Sequence, residues 1–180
     1  SSADRSTTAP RPSPSPTATP VFGGNSGAQT GPIAGVASLS TETGIRSVNG
    51  TNSYSFNAYL RNEIARGVAA SRIVLAGFSQ GGAVALAAGL RFPQRLAGIL
   101  ALSTYLPFPQ TLAAEKSAAN ADVPILMCHG RLDPVVHVTL GQEARDVLAG
   151  LRYPVEWHEY PMQHEVCAAE IAEVGRWLEE

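Results

Sequence analysis

The chain has 180 residues, 44% of them hydrophobic, with 13 basic and 15 acidic side chains and a formal net charge of −2. That length allows one domain with a real core, and the even charge balance offers no basic patch, which sets nucleic acid aside as a partner. No apolar run approaches the roughly 20 residues of a transmembrane helix, and two cysteines, Cys128 and Cys167, make no disulfide framework, so a reduced cytoplasmic protein is expected.

Residues 1–56 are poor in Leu, Ile, Val and charge, and crowded with Ser, Thr, Gly and Pro. Such a segment buries too little apolar surface to offset the entropy of ordering, and it reads as an atypical, low-complexity stretch of loop or disorder. Only Pro32–Ala37 has strand character. The start, with neither a methionine nor a charged-then-apolar leader, reads as that of a fragment or a processed chain. From Asn57 the pattern becomes regular. Ala58–Arg66 predicts an amphipathic helix ended by Gly67, Ile73–Phe78 a short apolar strand, and Gln80–Leu90 a helix stopped at Arg91-Phe92-Pro93. Leu96–Leu102 and Val123–Gly130 predict strands on either side of a helix over Thr111–Ala119. Val138–Leu151 predicts a helix, Val155–Tyr160 a strand of alternating character, and Ala168–Leu178 a last helix. Strands alternating with helices imply an α/β fold: a mostly parallel central sheet with helices on both faces, formed by residues 57–180. In such sheets, sites gather beyond the carboxyl ends of the strands.

Three loops at those ends carry chemistry. Gly77-Phe78-Ser79-Gln80-Gly81 is a G-x-S-x-G between a strand and a small-residue helix, the setting of a nucleophile elbow. Asp133 lies in the loop after Val123–Gly130, and His164 in the loop after Val155–Tyr160. The order Ser, Asp, His, at spacings of 133 − 79 = 54 and 164 − 133 = 31 residues, leaves about one strand–helix unit between loops. In that arrangement Ser79 is the nucleophile, His164 the base, Asp133 the group that orients it, and the Gln80 N–H an oxyanion donor. His137, at a helix start, is the rival base. His129 reads as a loop-supporting residue, and His158 as one that packs or faces solvent. No pair of histidines has metal-ligand spacing with a third partner, so no metal site is expected.

Residues 57–180 resemble the small carboxylesterase, lysophospholipase and acyl-protein thioesterase family of α/β-hydrolases. The resemblance is carried by Arg72–Gly82, Leu102–Pro107, His129-Gly130 with Asp133-Pro134-Val135-Val136, and Tyr160-Pro161-Met162 with His164-Glu165-Val166. It implies that Ser79, Asp133 and His164 match the family's triad, with Gln80 as an oxyanion donor. It implies hydrolysis of a small acyl ester or thioester through an acyl-enzyme, without a cofactor. The family's acyl-protein thioesterase and lysophospholipase activities stand beside simple carboxylesterase activity as alternatives. Gln163 stands where relatives usually carry glycine, and His137 where they often carry proline. The family's opening strands and its His-Gly oxyanion loop are not recognisable in residues 1–56, so the N-terminal strands are expected to be missing or replaced, as an out-of-frame reading would leave them. That expectation carries three consequences: one oxyanion donor fewer, a sheet edge open to a homodimer, and a third reading as an impaired hydrolase remnant that binds or scaffolds.

Overall fold

The computed structural model describes residues 19–24, 36–38 and 51–180, with side chains from Asn57 onward. A six-stranded sheet runs through it in the order β2-β1-β3-β4-β5-β6, every neighbouring pair parallel. The strands are β1 (Thr19–Gly24), β2 (Val36–Ser38), β3 (Ile73–Phe78), β4 (Gly98–Leu102), β5 (Ile125–Gly130) and β6 (Val155–Tyr160). The helices are α1 (Thr51–Ala65), α2 (Gln80–Gly89), α3 (Pro109–Glu115), α4 (Val138–Gly150) and α5 (Ala168–Glu179).

Period-two alternation sorts the strand side chains onto two faces. Ile73, Leu75, Ile99, Ile125 and Met127 join the larger core with Leu60 of α1, Val84 and Leu86 of α2, Leu112 of α3, and Ala144 and Leu148 of α4. Val74, Ala76, Leu100, Leu126 and Cys128 face the other way, against Val174, Trp177 and Leu178 of α5. Helices therefore cover both faces, as the near-continuous apolar strands require. Each fully buried Leu or Ile contributes on the order of 1.5–3 kcal/mol relative to exposure. The turn between α2 and β4 is held by a buried polar plug. Asn120 accepts from the Leu96 N–H at 2.8 Å and donates to the Phe92 and Gln94 carbonyls at 2.8 and 2.9 Å.

Between β3 and α5 the elements follow the sequence pattern closely. The helix expected over Thr111–Ala119 is two pieces: α3 starts at Pro109, whose ring suits a first helical position, and a short 3-10 turn follows at Ala118–Asn120, capped by Ser117 Oγ. Helix α1 begins at Thr51, upstream of the boundary placed at Asn57. Two strands stand inside the segment expected to be loop. β2 falls at the end of the Pro32–Ala37 stretch, while β1, with a proline and two glycines among its residues, has no periodic signal of its own and takes its form by pairing along β3, Val21 opposite Leu75. β1 and β2 thus cover the edge that missing N-terminal strands would have left open, and among the described residues the edges of the sheet are β2 and β6. The remaining expectations for residues 1–50, including loop, disorder and the absent His-Gly loop, lie outside the described residues.

Candidate active site

The elbow is built by strain and by missing side chains. β3 ends at Phe78, and Ser79 takes φ 55° and ψ −124° before α2 begins at Gln80. A non-glycine residue there costs of order 1–3 kcal/mol and persists only where its surroundings over-determine it. Those surroundings are visible. Ser79 N–H donates to the Leu102 carbonyl at 2.8 Å, and the Ser79 carbonyl accepts from Gly82 N–H at 3.0 Å and from Thr104 Oγ1 at 2.6 Å. A Cβ at Gly77 would stand 2.2 Å from the Gly81 carbonyl group, so only hydrogen fits inside the turn. Gln80 N–H belongs to the first turn of α2, whose amides have no acceptor within the helix.

The loops after β5 and β6 converge on the serine. Asp133, 3% exposed, receives the Val135 and Val136 N–H groups on Oδ1 at 2.8 and 2.9 Å. Its Oδ2 lies 2.7 Å from His164 Nδ1, and His164 Nε2 lies 2.9 Å from Ser79 Oγ. Burial pushes the Asp133 carboxyl up, but the bonds from His164 and from the two backbone amides outweigh it and hold it below its ordinary value. The carboxylate can accept only, so His164 carries its proton on Nδ1 and presents a bare Nε2 to the hydroxyl. The loops approach this closely because position 130 has no side chain: a Cβ there would stand 2.2 Å from the Gln163 carbonyl oxygen and 2.5 Å from that of Met162.

The structure thus brings Ser79, Asp133 and His164 into one hydrogen-bonded line, with Gln80 beside the serine. It leaves the other histidines outside. His137 is exposed at the N-cap of α4, with only Thr139 Oγ1 at 3.4 Å from its Nδ1. His129 is buried, bonds the Val136 carbonyl through Nε2 at 2.8 Å, and comes within 3.7 Å of Asp133 Oδ2, so it props the Asp133 loop from beneath. His158 is paired with Glu156 at 2.8 Å and lies 3.4 Å from Glu173. Ligand atoms of these three lie within 4.8 Å of one another, yet Arg176 bonds both carboxylates, so an organic cation already balances the cluster.

Two contributors carry no motif signal of their own. Thr104 lies in the Leu102–Pro107 stretch, but nothing in the pattern says that its hydroxyl reaches the elbow. Phe78 is the variable position of G-x-S-x-G, and its ring lies on the imidazole of His164.

The sequence profile of the family described as Phospholipase/Carboxylesterase matches residues 33–180. Acyl-protein thioesterase 1 of Gibberella zeae is 41% identical over 126 residues, covering 68% of this chain and 54% of that protein, so the chain spans about half the length of that relative. The crystal structure of SOBER1 from Arabidopsis thaliana superposes with a TM-score of 0.68 at 29% identity, over 71% of this chain and 61% of that one. Zea mays acyl-protein thioesterase 2 gives a TM-score of 0.71 at 24% identity, over 94% and 95% of the two chains, a likeness of fold alone. With the profile covering most of its length, the chain belongs to the phospholipase/carboxylesterase family of α/β-hydrolases.

Proposed function

We propose that the protein is a serine hydrolase that cleaves small acyl esters through an acyl-enzyme, with Ser79 as nucleophile, His164 as general acid and base, and Asp133 as the group that orients the imidazole. The observation that carries this reading is the continuous line from Asp133 Oδ2 through His164 to Ser79 Oγ, at 2.7 and 2.9 Å. A serine hydroxyl is a weak nucleophile near neutral pH. As it attacks an acyl carbon, its proton passes to Nε2 of His164, and Asp133 stabilises the resulting imidazolium. The tetrahedral oxyanion draws on the Gln80 N–H at the start of α2. His164 then protonates the departing alcohol or thiol. Water, activated by the same nitrogen, releases the acid and restores Ser79. No cofactor enters the sequence of steps.

Thioesters of acylated proteins are the second reading, favoured by the acyl-protein thioesterase name of the Gibberella zeae relative. Free thiols at Cys128 and Cys167 support a cytoplasmic setting. Among the described residues no helix is long and apolar enough to cross a membrane.

The test is covalent labelling by a fluorophosphonate probe, with p-nitrophenyl acetate and butyrate as substrates. Wild type is expected to label, and Ser79→Ala and His164→Ala to lose both labelling and hydrolysis, while His137→Ala retains them. Silence of the wild type favours the remnant that binds without catalysis. Loss in His137→Ala with retention in His164→Ala assigns the base to the wrong histidine.

A further inference from the structure

The imidazole of His164 has two kinds of surface. Its edge is fully engaged, with Asp133 at Nδ1 and Ser79 at Nε2. Beside it lies the ring of Phe78, with centroids 4.7 Å apart and planes tilted by 44°. Among the described residues the charged and titratable neighbours on each side are few. Asp133 approaches from the loop after β5, with His129 behind it at 3.7 Å. Glu165 follows His164 in its own loop, turned back to accept from the Gln163 N–H at 3.3 Å. β3 contributes the apolar Phe78 alone.

Phe78 is not free to choose its place. It is the last residue of β3, in register with Leu102 of β4, and it directly precedes the strained backbone of Ser79. The strand that delivers the nucleophile therefore also delivers an aromatic ring to the base, within the distance at which a π system acts on a cation. An aromatic face carries negative charge density and attracts a cation within about 6 Å of its centre. In the reaction the imidazole becomes a cation whenever it holds a proton taken from the serine or, later, from water. An aliphatic side chain of similar volume fills the same space without that charge density.

We propose that Phe78 is a positioning residue for the hydrolytic reaction. Its ring holds the plane of His164 so that both nitrogens stay aligned, and its π face stabilises the imidazolium formed as Ser79 attacks. The proposal rests on the assignment of His164 as the base, and it deepens that assignment.

The experiment uses the full chain as wild type, Phe78→Leu, Phe78→Tyr and Phe78→Trp. Two curves are recorded against pH: the rate of fluorophosphonate labelling of Ser79, and the NMR position of the His164 ring proton, assigned by its loss in His164→Gln. In Phe78→Leu both midpoints move to lower pH by about half a unit, and the labelling plateau falls by roughly threefold. Phe78→Tyr restores both, and Phe78→Trp, with the strongest π face, places the midpoint at or above that of wild type. The Tyr and Trp variants decide the matter if the leucine variant does not fold. Superposable curves for Leu and wild type, a shift to higher pH, or failure of Tyr to restore the midpoint each overturn the proposal. Absence of labelling in every variant refutes the hydrolase reading instead, and the NMR midpoints then judge the ring contact on their own.

Discussion

Asp133 and Glu170 are both carboxylates sealed from water, 3% and 0% exposed, one on the rim of the sheet and one in the first turn of α5. Burial acts on both in the same direction. Asp133 nevertheless stays below its ordinary value, because two backbone amides and His164 supply donors. Glu170 is pushed up to about 7 by its burial, opposed only by the backbone of Cys167, and neither of its oxygens has a well-formed hydrogen bond among the described residues. The lesson is that donors, not depth, decide whether a buried acid is charged. The rim is an arrangement made to hold a charge. The α5 side supplies no such donors, and its carboxyl gives up its proton only near pH 7, next to a Cys128 thiol pushed up to about 12 by the same burial.

The largest expected effect breaks the rim half of that contrast. Asp133→Asn keeps the volume and removes the charge, and it lets the wrong tautomer of His164 form. Labelling and hydrolysis rates are expected to fall by about 10⁴. Rates near wild type would mean that the rim carboxylate does no more for its neighbours than Glu170 does.

Next in size is Glu170→Gln, read in stability. The folded-state value of Glu170 lies above the unfolded one, so its contribution is complete below about pH 4 and is lost as pH rises through about 7. Asp133 has the opposite sign: its contribution is present above about pH 4 and lost as pH falls through its lowered folded value. Urea unfolding of the wild type is expected to weaken by on the order of 2 kcal/mol between pH 5 and pH 8, and the glutamine variant to stay nearly flat. Equal slopes for the two proteins would contradict the raised value assigned to Glu170.

A smaller effect sharpens the rim further. Thr104→Val removes a neutral donor from the Ser79 carbonyl, which keeps its bond from Gly82 N–H. A loss of about 1 kcal/mol in urea unfolding is expected. A cost several times larger would show that Thr104 carries much of the elbow's strain.

How far the sequence foretells all this varies by element. β3 to β6 and their helices are legible because both faces of the sheet are covered, so the strands are apolar runs with turn residues between them. The order of Ser79, Asp133 and His164 is legible because each lies in the loop after a strand of the sheet. β1 is not, because its strand character is lent by the edge of β3. The plight of Glu170 is hidden too: its helix carries Glu173, Glu179 and Glu180 on more open positions, and only the packing of α5 on β5 and β6 singles out the one that is enclosed. Phe78 and Thr104 escape notice because a ring tilted against a distant histidine, or a hydroxyl reaching a distant carbonyl, leaves no local pattern.

The hydrogen atom at Gly130 has a wider meaning. Two carbonyls from the base-bearing loop rest where a methyl would otherwise be. Any larger residue there acts as a wedge between Asp133 and the His164 imidazole, and is expected to silence the proposed hydrolase while leaving Ser79, Asp133 and His164 themselves untouched. A survey that scored only those three residues would pass such a variant as intact.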